Sequence, residues 1–429
     1  MNVRKKIVII GAGFGGLQCV KKLKRAPYDV TLLDKNNYFN FQPLMYQVAM
    51  GGLSPDAIAY PIRKITGPID NATYRMCEVL RIDSTKNKVQ TSIGDFDYDY
   101  LILATGATTN FFGNISLQKN CLTLKSITDA IAIRNNVLQE FEAALATSDT
   151  KQIERNLNFV IVGGGPTGVE LAGAIAEMKN HVLPMDYREL NKQMMHVHLV
   201  ESGDEILSMF DNDLSQKALN DLQSLGVKVW LNVKLTNYDG NAATLSDGNI
   251  IETSTVIWAA GVKGNAVDGF DTTQYNRGNR LLTDRYNKLK GSENIFAIGD
   301  IACMDGDAKF VNGHPMVAPV ATQQANVLCE NLKRMAINKE LKPFEYFDKG
   351  SMATIGRHKA IFQAFGIKLS GWTAWMAWMF LHLMVLESFR NKMLVFVNWV
   401  YNYLNYDRAI RLIIKPDAKN NESEIAFPK

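Results

Sequence analysis

Gly11, Gly13 and Gly16 follow directly behind the apolar run Ile7-Val8-Ile9-Ile10, and Gly163, Gly165 and Gly168 repeat the pattern behind Phe159-Val160-Ile161-Val162. At this spacing, between a strand and a helix, glycines hold an anion. The first makes a tight turn, the second lets the backbone approach a pyrophosphate, and the third lets the helix pack close to the strand. Phe14 with Gly15, and Pro166 with Thr167, open the helices that follow. Their free N–H groups and dipole favour phosphate. One such match is weak evidence. Two in the same context predict a chain that holds two dinucleotides and passes electrons between them.

Carboxylates stand where ribose recognition needs them. The strand Val30-Thr31-Leu32-Leu33 ends at Asp34, which can accept hydrogen bonds from a ribose hydroxyl, and His196–Val200 ends at Glu201. A carboxylate at the second position pairs with a free 2′-hydroxyl and repels a 2′-phosphate, so NADH is preferred over NADPH. Glu170, two residues past Gly168, is expected on the first turn of the helix. There it either compensates the dipole or reaches the nicotinamide or flavin edge. The helical stretch of this second unit is the longer one, with an insertion around 181–191.

The elements that position these residues need room. A chain of 429 residues, 47% hydrophobic and 21% charged, predicts two or three globular domains. The net charge of +4 is too small to argue for nucleic acid, although a local basic patch can still meet an anionic membrane. Arg4-Lys5-Lys6 precede only four apolar residues before the glycine loop, which is not a secretory signal. Cys19, Cys77, Cys121, Cys303 and Cys329 form no CxxC and no metal spacing, as expected of unpaired thiols in a reducing compartment. His196-x-His198 lacks a third ligand, so no metal site is expected.

Three further strands end in small-residue turns: Asp99–Gly106 at Ala104-Thr105-Gly106, Thr255–Gly261 at Ala259-Ala260-Gly261, and Asn294–Asp300 at Gly299-Asp300. The order of fingerprint and turn, repeated and closed by Gly-Asp, resembles the two-dinucleotide-binding-domain flavoproteins, the family of glutathione reductase. The resemblance implies that the first fingerprint binds FAD non-covalently and the inserted second one binds NADH. It brings Asp300 to the ribityl–phosphate region of the flavin. It extends the flavin site to Lys35, Gln42, Pro43, Thr105 and Gly106, and the NADH site to Ala260 and Gly261.

A disulfide-reducing flavoprotein needs paired sulfurs facing the flavin, and no cysteine pair has that spacing. Cys303, alone past Gly-Asp, reads as a small buried residue. Electrons should therefore pass directly to an external acceptor. The aromatic segment Phe39-Asn40-Phe41-Gln42-Pro43-Leu44-Met45-Tyr46-Gln47-Val48-Ala49, with Gly52-Leu53-Ser54-Pro55 and Ile58–Arg63, is similar to type II NADH dehydrogenase, the single-subunit NADH:quinone oxidoreductase. The similarity runs from the first glycine loop to about Ile414. It implies oxidation of NADH and two-electron reduction of a membrane menaquinone or ubiquinone without ion pumping, at the start of a respiratory chain. It also implies that Ala318-Pro319-Val320-Ala321-Thr322-Gln323 matches the family's AQxAxQ motif lining the quinone tunnel. Gln323 keeps the second glutamine. Pro319 replaces the first and offers neither a side-chain amide nor an N–H. Glu170 is the candidate for tuning the nicotinamide–flavin contact, and Gln323 for the quinone side. His382 either lines the tunnel mouth, supplies a proton to reduced quinone, or is a satisfied buried ring.

A lipid-soluble acceptor requires access to the bilayer. Leu369–Leu386 contains no Asp, Glu, Lys or Arg and carries Trp372, Trp375 and Trp378. Met393–Tyr406 carries Asn398, Asn402 and Asn405 at helical spacing, and Arg408, Arg411 and Lys415 follow. Three readings stay open: two interfacial helices, one span at 369–386, or burial against a second copy in a homodimer. The resemblance favours the first, with tryptophans in the headgroup region, on the cytoplasmic face of the inner membrane. Arg357-His358-Lys359 reads as a solvated or headgroup-facing cluster. Rival functions are a flavin reductase with sulfide or ferredoxin as partner, and a non-catalytic NADH-sensing membrane flavoprotein. The expected fold is α/β: two Rossmann-like domains for FAD (1–112 and 266–340) and NADH (113–265), and a C-terminal helical membrane-anchoring region (341–429).

Overall fold

The structure, a computed structural model, describes residues 4–405 and 411–414. Short β-branched runs with no polar side chain bury themselves on both faces, and such strands pair in parallel under covering helices. Ile7–Ile10, the buried part of the strand Lys5–Ile10, does so at the centre of a five-stranded parallel sheet. Its spatial order is Ile295–Ala297, Tyr100–Leu103, Lys5–Ile10, Tyr28–Asp34, Ala72–Met76. A second parallel sheet repeats the plan around Asn158–Val162, in the order Leu122–Thr123, Thr255–Trp258, Asn158–Val162, His196–Val200, Val227–Trp230. In each, the strand behind the glycine loop has its successor on one side and a later strand on the other. That is the switch point where α/β sheets open a crevice for ligands.

Ile295–Ala297 joins the first sheet after the whole second sheet has been traversed. The two chain crossings are clamped together. Ala107–Thr109 pairs antiparallel with Val262–Gly264, and the Thr105 hydroxyl donates to the Asn265 carbonyl at 2.6 Å.

Beyond residue 341 the chain adds to the expected helical region a sheet that the sequence did not disclose. Ser351–Gly356, Lys359–Ala364 and Ile367–Ser370 form a three-stranded antiparallel sheet before any helix begins. Its turns place His358 (φ 63°) and Phe365 (φ 53°) in the left-handed region. Arg357-His358 carries no turn signature, and in Phe365-Gly366 (φ 77° at the glycine) an aromatic stands where asparagine or aspartate is usual, so the hairpins were not legible. Arg357-His358-Lys359 is likewise not a solvated cluster. The Arg357 guanidinium lies 4.4 Å from the Tyr403 ring centre, His358 packs edge-on to Trp375, and the Lys359 ammonium bonds the Ser224 hydroxyl.

The helices Gly371–Val385 and Phe389–Asn405 follow. Trp378 is 2% exposed and Trp399 is also buried, so these two of the four indoles do not face a headgroup region. The second helix points its polar side inward. Asn391, itself 2% exposed, donates to the carbonyls of Asp56 (3.2 Å), Ala57 (3.0 Å) and Ala59 (3.0 Å). Asn402 donates to the Gly52 carbonyl at 3.1 Å, and the Trp399 indole donates to Gln47 Oε1 at 2.7 Å. The outward side is apolar: Phe389 is 79% exposed and Leu404 71%, with Met393, Phe396, Val397 and Val400 between them. Among the described residues no helix is long and apolar enough to cross a membrane. Tyr406, Arg408 and Lys415 lie outside the described residues. Arg411 is paired with Asp186 at 2.6 Å.

Candidate functional site: two nucleotide cradles and a cavity beside the second

The two glycine loops have one geometry. Gly11 and Gly163 both turn at positive φ (100° and 113°), which admits glycine with little strain. A Cβ on Gly16 would overlap the Gly11 carbonyl oxygen, and one on Gly168 the Gly163 carbonyl oxygen, so each helix is packed as tightly on its loop as backbone permits. Gly13 and Gly165 have nothing within 4 Å of where a Cβ would stand. Each is the N-cap of its helix, Phe14–Lys22 and Pro166–Glu177, and neither supplies a side-chain cap. Open space, unclaimed first-turn N–H groups and a close backbone are what a pyrophosphate requires. The residues present therefore fit a dinucleotide at both loops.

The acids are held ready. Asp34 accepts from Ala12 N–H and Asn36 N–H, both at 2.7 Å, while burial pushes its carboxyl above the usual carboxylate range. Glu201 accepts from Gly164 N–H at 2.5 Å and Gly203 N–H at 2.7 Å. Both carboxylates are thus oriented by backbone N–H groups. Asp300 sits in the turn Gly299–Ile301, raised by burial and drawn back down by Lys125 and Arg280. Lys125 was not singled out from the sequence; an isolated lysine before a helix gives no signal.

Around the first cradle, Phe14 meets Phe39 and Phe41 edge-on, at 5.1 and 5.9 Å between ring centres. Gln42 and Pro43 form a short turn with Leu44, Gln42 exposed and Pro43 half-buried, and Lys35 is exposed beside Asp34. Thr105 and Gly106 (φ 71°) sit at the clamped crossing. Around the second cradle, Ala260 lies against Gly163, and the Phe112 ring covers Gly261.

The stretch Ala318–Gln323 begins the helix Ala318–Met335. Pro319 occupies its second position, where a missing N–H is tolerated. Ala321 packs on Gly299 and Gly15. Gln323 spends its amide on the Phe347 backbone, donating at 2.9 Å and accepting at 3.0 Å. Its neighbour Gln324, buried and missed in the sequence, accepts from Gly299 N–H at 2.7 Å and so fixes the Gly-Asp turn. His382 is a satisfied ring. Nδ1 donates to the Trp378 carbonyl at 2.8 Å, and the imidazole stacks on Trp378, where burial lowers its basicity.

Glu170 corrects the expectation that placed it on the first turn. Counting from Pro166 it is the fifth residue of its helix, so it lies beyond the unpaired N–H groups and dipole compensation is not its role. It lines a cavity of about 140 Å³ with Tyr46, Gln47, Glu177, Trp378 and Trp399. The walls are the second fingerprint helix, the Met45–Ala49 helix, the C-terminal hairpin and both C-terminal helices. Neither Gln323 nor His382 is among the lining residues. Burial pushes the Glu170 carboxyl well above its ordinary range, against the Thr354 N–H that holds it down. Trp378 brings an indole N–H with no partner among the described residues.

A carboxyl whose folded value is raised binds an extra proton in the folded state. Its contribution is intact below the unfolded value, about 4.3, and is lost as pH rises through the raised folded value. Glu170→Gln should therefore flatten the alkaline decline of the melting temperature and leave the acid side unchanged. Parallel pH–Tm curves for the two proteins would refute the buried-acid assignment.

Two cradles at the switch points of two nested parallel sheets, with the last strand returning to the first, define a flavoprotein-type dinucleotide oxidoreductase. The family profile "Pyridine nucleotide-disulphide oxidoreductase" matches residues 5–325, and the chain belongs to that family. Within it the chain belongs to the type II NADH:quinone oxidoreductases. It is 37% identical, over 95% of its length and 88% of the relative's, to type II NADH:quinone oxidoreductase NdhA of Mycobacterium tuberculosis, and 36% identical over 95% and 89% to Ndh of the same organism. The profile "NDH2 C-terminal domain" matches residues 349–406. The structure of NDH2 from Plasmodium falciparum in complex with NADH shares the fold. Its TM-score is 0.87 over 96% of this chain and 100% of that one, at 21% identity.

Proposed function

We propose that this type II NADH:quinone oxidoreductase holds FAD in the first cradle and NADH in the second, and reduces a membrane quinone admitted through the Glu170 cavity. The observation that carries this reading is the cavity itself. It joins the helix of the second cradle to the two C-terminal helices, and it has aromatic walls with a few polar groups, as small-molecule sites do. FAD, when bound, supplies the two-electron chemistry between NADH and quinone. Backbone at Gly13 and Gly165 holds the pyrophosphates, Asp34 and Glu201 hold ribose hydroxyls, and Asp300 meets the ribityl region. Glu170, Tyr46 and Gln47 orient the quinone ring, while Trp378 and Trp399 keep bulk water out. The proposed domain boundaries are 1–112 with 266–340 for FAD, 113–265 for NADH, and 341–429 for membrane association and dimerisation. The reaction proposed is one without ion pumping, as the sequence resemblance implies.

The test is an acceptor screen on purified flavoprotein with NADH and short-chain ubiquinone and menaquinone analogues. Absence of NADH oxidation with flavin bound would sink the reading, and a preference for ferredoxin or sulfide would redirect it. Glu201→Ala should narrow the preference for NADH over NADPH by about tenfold, the worth of one charge-assisted hydrogen bond. An unchanged ratio would refute the ribose assignment.

The outward apolar side of Phe389–Asn405 supports monotopic docking on the bilayer surface. Replacing Phe389, Phe396 and Leu404 with serine should move the protein from vesicles into the supernatant on flotation. Retention on vesicles would place the anchor elsewhere, and loss of a dimer by light scattering would assign the face to a second copy.

A further inference from the structure

Glu170 does not stand alone in its cavity. Two more ionisable side chains of the same helical run, Glu177 and His181, line the same space, and the hairpin adds Arg357. The run holds this arrangement by a change of winding. After the helix Pro166–Glu177 the chain passes through a π-turn, Met178–Val182, before the short helix Leu183–Asp186. Such a bulge widens a helix by one residue and recurs at functional sites. Here it overlaps the start of the insertion of the second unit and carries His181 on the cavity wall. Glu177 is fixed in turn: its Oε1 accepts from the Arg357 N–H at 2.5 Å, and that arginine's guanidinium rests on Tyr403.

The chemistry of the reaction asks for such a row. Reduction balances as NADH + H⁺ + quinone → NAD⁺ + quinol. The hydride brings both electrons and one proton, and the other proton comes from solvent. A buried carboxyl facing the quinone can give that proton, but it must then be recharged from outside while aromatic walls exclude bulk water. We propose that Glu177 and His181 carry the solvent proton along this cavity to Glu170. This rests on the quinone-reductase reading above, with Glu170 at the reacting end. From Glu170 to Glu177 the helix rises about 10 Å, too far for one hydrogen bond. The cavity of about 140 Å³ bridges the gap, with room for a few waters at roughly 30 Å³ each. Both residues act through Glu170 and position protons rather than touch substrate.

The test uses the purified flavoprotein, its Glu177→Gln/His181→Ala double variant, and two acceptors. A short-chain ubiquinone takes electrons and protons; ferricyanide takes electrons alone. With ubiquinone, kcat should fall by about tenfold or more, the lower range for a lost acid–base group, and its solvent deuterium isotope effect should rise. Ferricyanide turnover and NADH-driven bleaching of the flavin should not change. In His181→Ala alone, added imidazole should restore part of the ubiquinone rate. The relay is overturned by an unchanged ubiquinone kcat, by an equal fall with both acceptors, or by a rise in ubiquinone KM with kcat intact. An unmutated protein that reduces ferricyanide but no quinone would instead overturn the underlying reading.

Discussion

Alanine at position 168 is expected to abolish tight NADH binding while FAD stays bound. A Cβ there would overlap the Gly163 carbonyl oxygen and stand 3.1 Å from its carbon. That carbonyl belongs to the turn itself, so it cannot swing aside as a side chain would. The helix Pro166–Glu177 must back away from the strand Asn158–Val162, and its first-turn N–H groups move with it. Overpacking of this kind costs about 1–3 kcal/mol, and misdirected donors add to it. Together these predict a loss of on the order of 100-fold in affinity for NADH. The measurement is a titration of flavin-loaded protein with NADH under anaerobic conditions, following the flavin absorbance. The first cradle, built from separate strands, should keep its flavin. An affinity close to that of the unmutated protein would mean that the loop relaxes, and that close packing is not what holds the nucleotide.

Gly173→Ala should act on the other end of the reaction. Gly173 lies in the same helix, and there the hairpin strand Ser351–Gly356 comes down on bare backbone. A Cβ would overlap the Ile355 carbonyl oxygen and fall 2.8 Å from its carbon. The strand also brings Thr354 to Glu170 and Arg357 to Glu177. Pushing it outward should open the cavity wall, let bulk water reach Glu170, and lower the thermal stability by about 1–3 kcal/mol. The expected signature is split. Quinone reduction falls by tenfold or more, as expected when a polar partner near the reaction is misplaced, while NADH still bleaches the flavin at its normal rate. Equal loss of both steps would show that the damage spreads to the nucleotide loop. Normal quinone turnover would show that the hairpin is not part of the site.

These two substitutions also mark what the sequence discloses. Gly168 belongs to a spaced pattern behind a β-branched strand, and spacing is local, so the cradle could be read from residues a few positions apart. The positions of Asp34 and Glu201 were legible for the same reason, each at the end of a predictable strand, and Asp300 in the turn just past one. Gly173 carries no such mark. Its reason for being glycine is a strand about 180 positions later in the chain, and only tertiary packing brings the two together. The hairpin escaped notice because its left-handed turns place His358 and Phe365 where asparagine or aspartate is usual, and Gly366 alone was too weak a signal. Glu170 was found, yet its turn of the helix was miscounted from the glycine motif, because the helix begins at Pro166. Gln324 was passed over for Gln323. Adjacent glutamines on a helix face different directions, and nothing local says which reaches the Gly-Asp turn. The tryptophans misled for a related reason: a row of indoles marks an amphipathic surface, but Trp378 and Trp399 meet each other and Gln47 instead of a bilayer.

The inward asparagines of the last helix bear on how this protein could be handled. Shortening the chain before Phe389 looks like a way to gain solubility by cutting off a greasy tail. It would also strip hydrogen-bond donors from the carbonyls of Gly52, Asp56, Ala57 and Ala59 and from the side chain of Gln47. The loop after Ala49 would then hold bare acceptors under a missing roof, and Gly371–Val385 would lose its neighbour. Trimming would thus remove an apolar surface at the cost of a broken cavity wall. Recoding the outer strip of the helix, with every asparagine left in place, is the edit that separates solubility from turnover.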